Sequence, residues 1–338
     1  MNWEKLTFSY TKTNTIICSH YKDGEWSPLE SRCDDSISIS ALSASLHYGI
    51  QAFEGLKAYR GKDGKVRLFR PFENAKRLKR SADYLGIASP HQEMFVEACK
   101  RVVLENIEYL PPYEYRASMY IRPFVIGVGA QIDLVCPQEA LFIVAAMPIG
   151  SFAGSIIRPA KVLLAQDHDR AAPLGSGSHK IGGNYAAAIS AGVKAKKEGY
   201  SSVLYLDSAK HEYIDEFSSS NFFAIRGDSY ITPDSESVLP SITNSSLMQL
   251  AKDSGMSIEK RRVKLDELET FEEVGACGTA IVILPVSRVD DRMNNKSYII
   301  GDYPDTTGER CLYLYKRLTG IQFGEVRDLH NWCLIVEK

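Results

Sequence analysis

The stretch "PIGSFAGSIIRP", residues 148–159, breaks this chain near its middle. Gly, Ser and Pro dominate it, whereas segments with regular apolar spacing run up to it and away from it. In 338 residues such a break points to two cores rather than one. The boundaries it suggests are 1–154 for an N-terminal α+β domain, 155–167 for a linker and 168–338 for a second domain. Before the break, "FENAKRLKRSADYLG" places Phe72, Ala75, Leu78, Ala82 and Leu85 at helical spacing and ends on Gly86, a residue suited to stopping a helix. A second helix over about 91–109 runs into Pro111-Pro112, and "RASMYIRPFVIGVG" and "ALFIVAAMP" read as buried strands. After the break, the strand patterns "KVLLAQ", "SVLYLD", "FFAIRG" and "AIVILPV" mix with helices over about 184–198, 243–254 and 306–318. Gly199 and Gly255 are the expected stops of the first two.

Composition removes several classes of partner. The net charge of −2 gives no electrostatic reason to bind nucleic acid or an anionic membrane. Seven cysteines without a CxxC pair or a His/Cys cluster predict reduced thiols and no metal site, and with them a cytoplasmic location. "MNWEKLTFSY" lacks the apolar segment of a signal peptide. No apolar run approaches the roughly 18 residues of a membrane span.

The loop "GSGSHKIGGNY", residues 175–185, packs glycines around one lysine. A P-loop needs Ser or Thr after its lysine, and here Ile181 follows Lys180. The GxGxxG fingerprint fails as well, because Lys180 stands in the place of its third glycine. A flexible linker is the plain alternative, but this loop enters an alanine-rich helix directly. A lysine held in a close-packed place loses proton affinity, and its neutral amine can condense with an aldehyde such as that of pyridoxal phosphate.

A pyridoxal site needs an acid for its ring nitrogen, a phosphate cradle and a place for the substrate carboxylate. Glu216 in "EYIDEFSSSNFF" is a candidate acid. "LPSITNSSLMQLAKDSG" is a proline-marked entry to a helix whose first amides are those of Ile242 and Thr243, although Thr243 also reads as a plain N-cap. Arg77 flanks the apolar stripe of its helix and reads equally as a surface arginine. Gly278-Thr279-Ala280 offers a hydroxyl and amides ahead of a buried strand. Tyr120 and Arg122 lie two apart in a strand and share a face, for a carboxylate-bearing substrate or for an internal ion pair.

In this order, "LHYGIQAFEGLKAYRG", "RLFRPFENAKRL", "MYIRPFVIGVG", "KIGGNYAAA", "DEFSSSNFF", "LPSITNSSL" and "GTAIVILPV" resemble the branched-chain amino acid aminotransferases. These are class IV, fold-type IV pyridoxal phosphate enzymes, and the resemblance runs from about Phe8 to the C-terminus. It implies an α+β fold with a small N-terminal α/β domain, a larger C-terminal domain with a β-barrel-like core that binds pyridoxal 5'-phosphate, and an active site between them. By position it makes Lys180 the catalytic residue that bonds to the cofactor. It gives Arg77, Tyr185, Glu216, Ser219, Leu239, Ile242, Thr243 and Thr279 to the cofactor. Phe8, Tyr48, Phe53, Tyr120, Arg122, Phe152, Thr279 and Ala280 fall to the substrate.

The implied reaction is reversible transamination of L-leucine, L-isoleucine and L-valine with 2-oxoglutarate, in a ping-pong scheme and in a homodimer. D-amino acid aminotransferase and aminodeoxychorismate lyase share the fold and remain the alternative activities; a non-catalytic nucleotide binder is the alternative of another class. Three positions depart from relatives. Phe152 replaces a tyrosine, Ser219 replaces a threonine, and Ile281 and Leu284 stand where mammalian members carry a CxxC pair, so no thiol switch is expected there.

Overall fold

A computed structural model describes residues 1–151, 158–301 and 306–337. The chain divides into two compact units. One holds Met1–Phe152, His179–Gly182 and Gly320–Lys338; the other holds Ala153–Ser178 and Gly183–Thr319. The C-terminal tail thus groups with the N-terminal part of the chain, as does the short segment around Lys180. Phe152 lies outside the described residues.

The first unit is built on a nine-stranded antiparallel sheet. Its long centre is the pair Ser118–Gly127 and Ala140–Ile149, where β-branched and aromatic residues face a buried layer. Two helices cover one face. Pro71–Tyr84 starts with its proline in the first turn, where the missing N–H costs nothing, and ends before Gly86, whose φ is +66°. Gln92–Glu105 is capped by His91, whose ring accepts the Met94 amide at 3.1 Å. Leu78, Ala82, Phe95 and Val102 from the helices meet Leu68, Met119 and Phe142 from the sheet in one core. The second helix is shorter than its spacing suggests, because Asn106 leaves the helical region and a 3-10 turn, Ile107–Tyr109, carries the chain to the prolines.

The second unit contains a closed ring of six strands. In order around it run Ile214–Phe217, Ser202–Leu206, Ala160–Ala165, Val282–Asp291, Glu273–Gly278 and Asn221–Arg226. The Glu216–Asn221 pair joins last to first. The ring fills with Val162, Leu204, Phe217, Phe222 and Val286. Closure removes the edges that an open sheet must protect. The barrel-like core expected from the family resemblance is therefore present, and the fold class is α+β.

The helix Ile242–Asp253 begins beside this ring. Its N-cap is Ser241, whose hydroxyl accepts the Asn244 amide at 3.1 Å, so Thr243 sits inside the first turn and is not the cap. Asn244 accepts from the Tyr230 hydroxyl at 2.6 Å and donates to Thr232 at 2.9 Å, all three being buried. This network fixes where the helix starts. Truncation by Asn244→Ala strands the buried Tyr230 hydroxyl, while Thr232 keeps its bond to the Phe222 carbonyl at 2.8 Å, and the expected loss is about 2 kcal/mol of unfolding free energy, read from urea denaturation.

Candidate active site

Lys180 is fastened to the first unit by its backbone. Its carbonyl accepts the Phe53 amide at 3.0 Å, its amide donates to the Ser81 hydroxyl at 2.9 Å, and Ile181 bridges Ala52. Gly182 permits this closeness, since a Cβ there would lie 2.6 Å from the Gln51 side chain. On the other side His179 stacks on Tyr84 with ring centroids 4.1 Å apart. The lysine is only half-buried as a residue, but its amine is enclosed and lies 4.7 Å from the centre of the Phe53 ring. Burial, then the charge of Arg77, push that amine down to about 8, against the pull of Glu54.

Arg77 reaches the same place from the helix Pro71–Tyr84. Its Nε and one terminal nitrogen grip both oxygens of Glu54 at 2.6 and 2.9 Å. Glu54 is fully buried and also accepts from Asn74 at 2.7 Å. Burial raises the cost of charging this carboxyl, yet Arg77, Lys180 and Asn74 outweigh it and hold Glu54 below its ordinary range. Sequence reasoning named Arg77 and missed Glu54, Asn74 and Ser81. The available signal for Glu54 was a single acid inside the apolar run "IQAFEGLKAY".

Tyr120 and Arg122 do share a face of their strand, and an Arg122 nitrogen donates to the Tyr120 hydroxyl at 3.3 Å. The guanidinium also lies over the Phe53 ring at 5.0 Å, and Phe8 meets Tyr120 edge-on at 5.0 Å. Arg122 Nε is buried without a hydrogen-bond partner among the described residues. A buried, unmatched donor on a cation amid aromatic rings suits an anion. The internal ion pair that the sequence left open is not among the described contacts of Arg122. Tyr48 makes its contacts elsewhere: its hydroxyl donates to the Ile132 carbonyl at 2.5 Å and its ring lies against His47.

The second unit carries a group of its own around Glu216, on the strand Ile214–Phe217. The Leu239 amide and Arg170 reach one carboxylate oxygen at 3.0 and 2.9 Å, and Asn221 reaches the other at 3.1 Å. Asn221 also donates to the Leu239 carbonyl at 2.8 Å, so Leu239 is anchored at both backbone groups. Arg170 bonds the Gly177 carbonyl at 3.0 Å and the Ser237 carbonyl too. Arg170 escaped the sequence reading, because nothing in "DHDRAAP" marks a partner 46 positions away.

Ile242 and Thr243 form the first turn of their helix. Thr279 and Ala280 occupy the turn between the paired residues Gly278 and Val282. Val282 has φ +62°, a strained left-handed conformation for a β-branched residue. The Ser219–Ser220 turn lies beside Gly278, with Ser219 itself exposed. Tyr185 is half-buried near the start of the helix Gly182–Lys197.

The donor set fits pyridoxal phosphate: an enclosed amine of lowered proton affinity, a fixed arginine beside it, a buried carboxylate with a cationic partner, and the leading amides of a helix. Residues 51–289 match the sequence model of the amino-transferase class IV family. A branched-chain-amino-acid aminotransferase of Haemophilus influenzae is 42% identical over all of this chain and 99% of its own. One of Helicobacter pylori is 43% identical over 99% of this chain and 98% of its own. Among solved structures, a branched-chain amino acid aminotransferase from Escherichia coli aligns with a TM-score of 0.80 at 26% identity, covering 97% of this chain and all of that one. A T.th. branched-chain amino acid aminotransferase, solved with pyridoxamine 5'-phosphate, aligns with a TM-score of 0.80 at 28% identity and the same coverage.

The lowered proton affinity of Lys180 is open to direct test. Modification of its amine by an acylating reagent, followed by peptide mass spectrometry, is expected to rise with pH through a midpoint near 8. A midpoint at about 10.4, the ordinary lysine value, would contradict an enclosed amine.

Proposed function

Because the chain belongs to the class IV aminotransferases, we propose that it moves the amino group of L-leucine, L-isoleucine and L-valine to 2-oxoglutarate, reversibly and with pyridoxal 5'-phosphate. The observation that carries this reading is the enclosed amine of Lys180 beside Arg77 and Glu54. When bound, the cofactor supplies an aldehyde for amines and a ring that draws electrons from the substrate. Lys180 would hold it covalently and, once released by substrate, take the Cα proton and deliver it again. An amine that titrates near pH 8 is neutral often enough to do so near neutral pH.

Arg77, the amides of Ile242 and Thr243, and Thr279 would hold the phosphate. Glu216 would keep the ring nitrogen protonated, and Arg170, Asn221 and the Leu239 amide hold Glu216 in place. Tyr185 would bond the ring oxygen, Leu239 would pack on the ring, and Ser219 would stand near it. The amides of Thr279 and Ala280 would take the substrate α-carboxylate. Phe8, Phe53 and Tyr120 offer an apolar aromatic wall and Arg122 a cation on it, which is how one pocket would serve a leucine chain and a glutamate chain. Tyr48 and Phe152 complete the proposed lining by family position.

Two assays test this reading. Lys180→Ala should lower turnover of L-leucine with 2-oxoglutarate at least about 1,000-fold. Turnover of D-alanine in place of L-leucine would move the chain to the sibling D-amino acid activity. Arg122→Gln should raise KM for glutamate about tenfold while that for leucine changes less than about twofold. Equal changes would remove Arg122 from the role of distal-carboxylate partner.

We also propose a cytoplasmic homodimer. Seven free thiols suit a reducing compartment. In the first unit the adjoining segments 42–48 and 130–135 expose Leu46 at 63%, Ile132 at 72% and Leu134 at 79%, an apolar patch that suits a second copy. Light scattering of Leu46→Glu/Leu134→Glu should give the monomer mass where the native chain gives twice that. A native chain already at 37.7 kDa would dismiss the dimer.

A further inference from the structure

Glu54 has no part in the reaction as set out so far, yet it is the most completely enclosed acid beside the lysine. It is 0% exposed, and each of its oxygens is engaged: Oε1 by Arg77, Oε2 by Arg77, Asn74 and the Gly55 amide at 3.1 Å. A carboxylate is costly to bury, and an apolar residue would fill the same space more cheaply for stability alone. Its neighbour in sequence, Phe53, is the residue whose amide holds the Lys180 carbonyl and whose ring lies against the Lys180 amine. The helix Pro71–Tyr84 presents Asn74 and Arg77 to Glu54 and Ser81 to the Lys180 amide, three positions on one helical face.

We infer that Glu54 is a positioning residue for the transamination reaction: its buried carboxylate orients Arg77 for the cofactor's phosphate and sets a negative charge beside the strand end that holds Lys180. This rests on the assignment of Lys180 and Arg77 to pyridoxal phosphate. The charged and titratable groups around the pair are Arg77 and Arg80 on the first helix, Cys99 on the next, and Tyr120 and Arg122 on the strand. Glu54 is the acid among them. Arg77 and Arg122 lower the proton affinity of Lys180 and Glu54 raises it, so removing the acid leaves Tyr120 as the opposition to the cations.

The test is a pH titration of the visible absorbance of the protein loaded with pyridoxal 5'-phosphate, with the cofactor's dissociation constant measured on the same preparations. Glu54→Gln keeps the shape and loses the charge. Its absorbance midpoint should fall by about one pH unit, the scale of one close opposite charge, and the cofactor should bind at least tenfold more weakly. Asn74→Ala removes a hydrogen bond to the same carboxylate without touching its charge, and its midpoint should stay within a few tenths of a unit. An unmoved midpoint in Glu54→Gln, or an equal shift in Asn74→Ala, overturns the inference.

If Glu54→Gln does not fold, Glu54→Asp is read instead. This variant keeps the charge and shortens its reach to Arg77, so weaker cofactor binding with a native midpoint supports the inference and native binding overturns it. Failure of the underlying assignment looks different: borohydride reduction would then leave the phosphopyridoxyl group on a residue other than Lys180, as read by peptide mass spectrometry.

Discussion

A carboxylate taken wholly out of water organises the first unit. Glu54 would cost several kcal/mol if it were left alone in an apolar core, so the fold must bring it a cation and further donors. The cation is Arg77 and one further donor is Asn74, and both stand on the helix Pro71–Tyr84. Satisfying the acid therefore fixes that helix against the end of the strand Gln51–Phe53. The same helix and strand hold the two backbone groups of Lys180. The position of the enclosed Lys180 amine is thus a by-product of neutralising a buried charge.

The second unit repeats the device with different parts. Glu216 is buried on a barrel strand and is met by an arginine, a side-chain amide and a backbone amide. In both units the acid is met by a cation and by neutral donors, with little help from water. Such pairs contribute little net stability, but they hold their orientation because any departure exposes an unpaired buried charge. Rigid charges, already compensated before substrate arrives, are what a reaction with developing charge on its substrate requires.

Sequence pattern revealed the helices and their ends well, because Gly86, Gly199 and Gly255 all take positive φ where the spacing stops. It revealed the long buried strands for the same local reason. Short strands such as Gln51–Phe53, Leu56–Arg60 and Cys333–Val336 carry too few residues for a period to show, and they exist through pairing with distant partners. The C-terminal tail is the extreme case, since its last strand pairs with Val66–Phe69. Among the candidate residues, Lys180, Glu216, Tyr120 and Arg122 stand out in the sequence by their chemistry and spacing. Glu54 and Arg170 do not, because what marks them is burial against a partner remote in sequence. Thr243 was read as a possible cap when Ser241 serves, a difference of two positions that the pattern alone does not resolve.

The six-strand ring has one seam, and Glu216 is in it. The pair Glu216–Asn221 is where the first strand of the ring meets the last, and the Asn221 side chain also binds the Glu216 carboxylate. A slip of one residue at that seam would turn every side chain of the strand to its opposite face and carry the acid out of its socket. The ring cannot close in another register there and still present the acid to Arg170 and the Leu239 amide. A chain mispaired here would lose at one stroke the backbone pairing of the seam and the compensation of its buried charge.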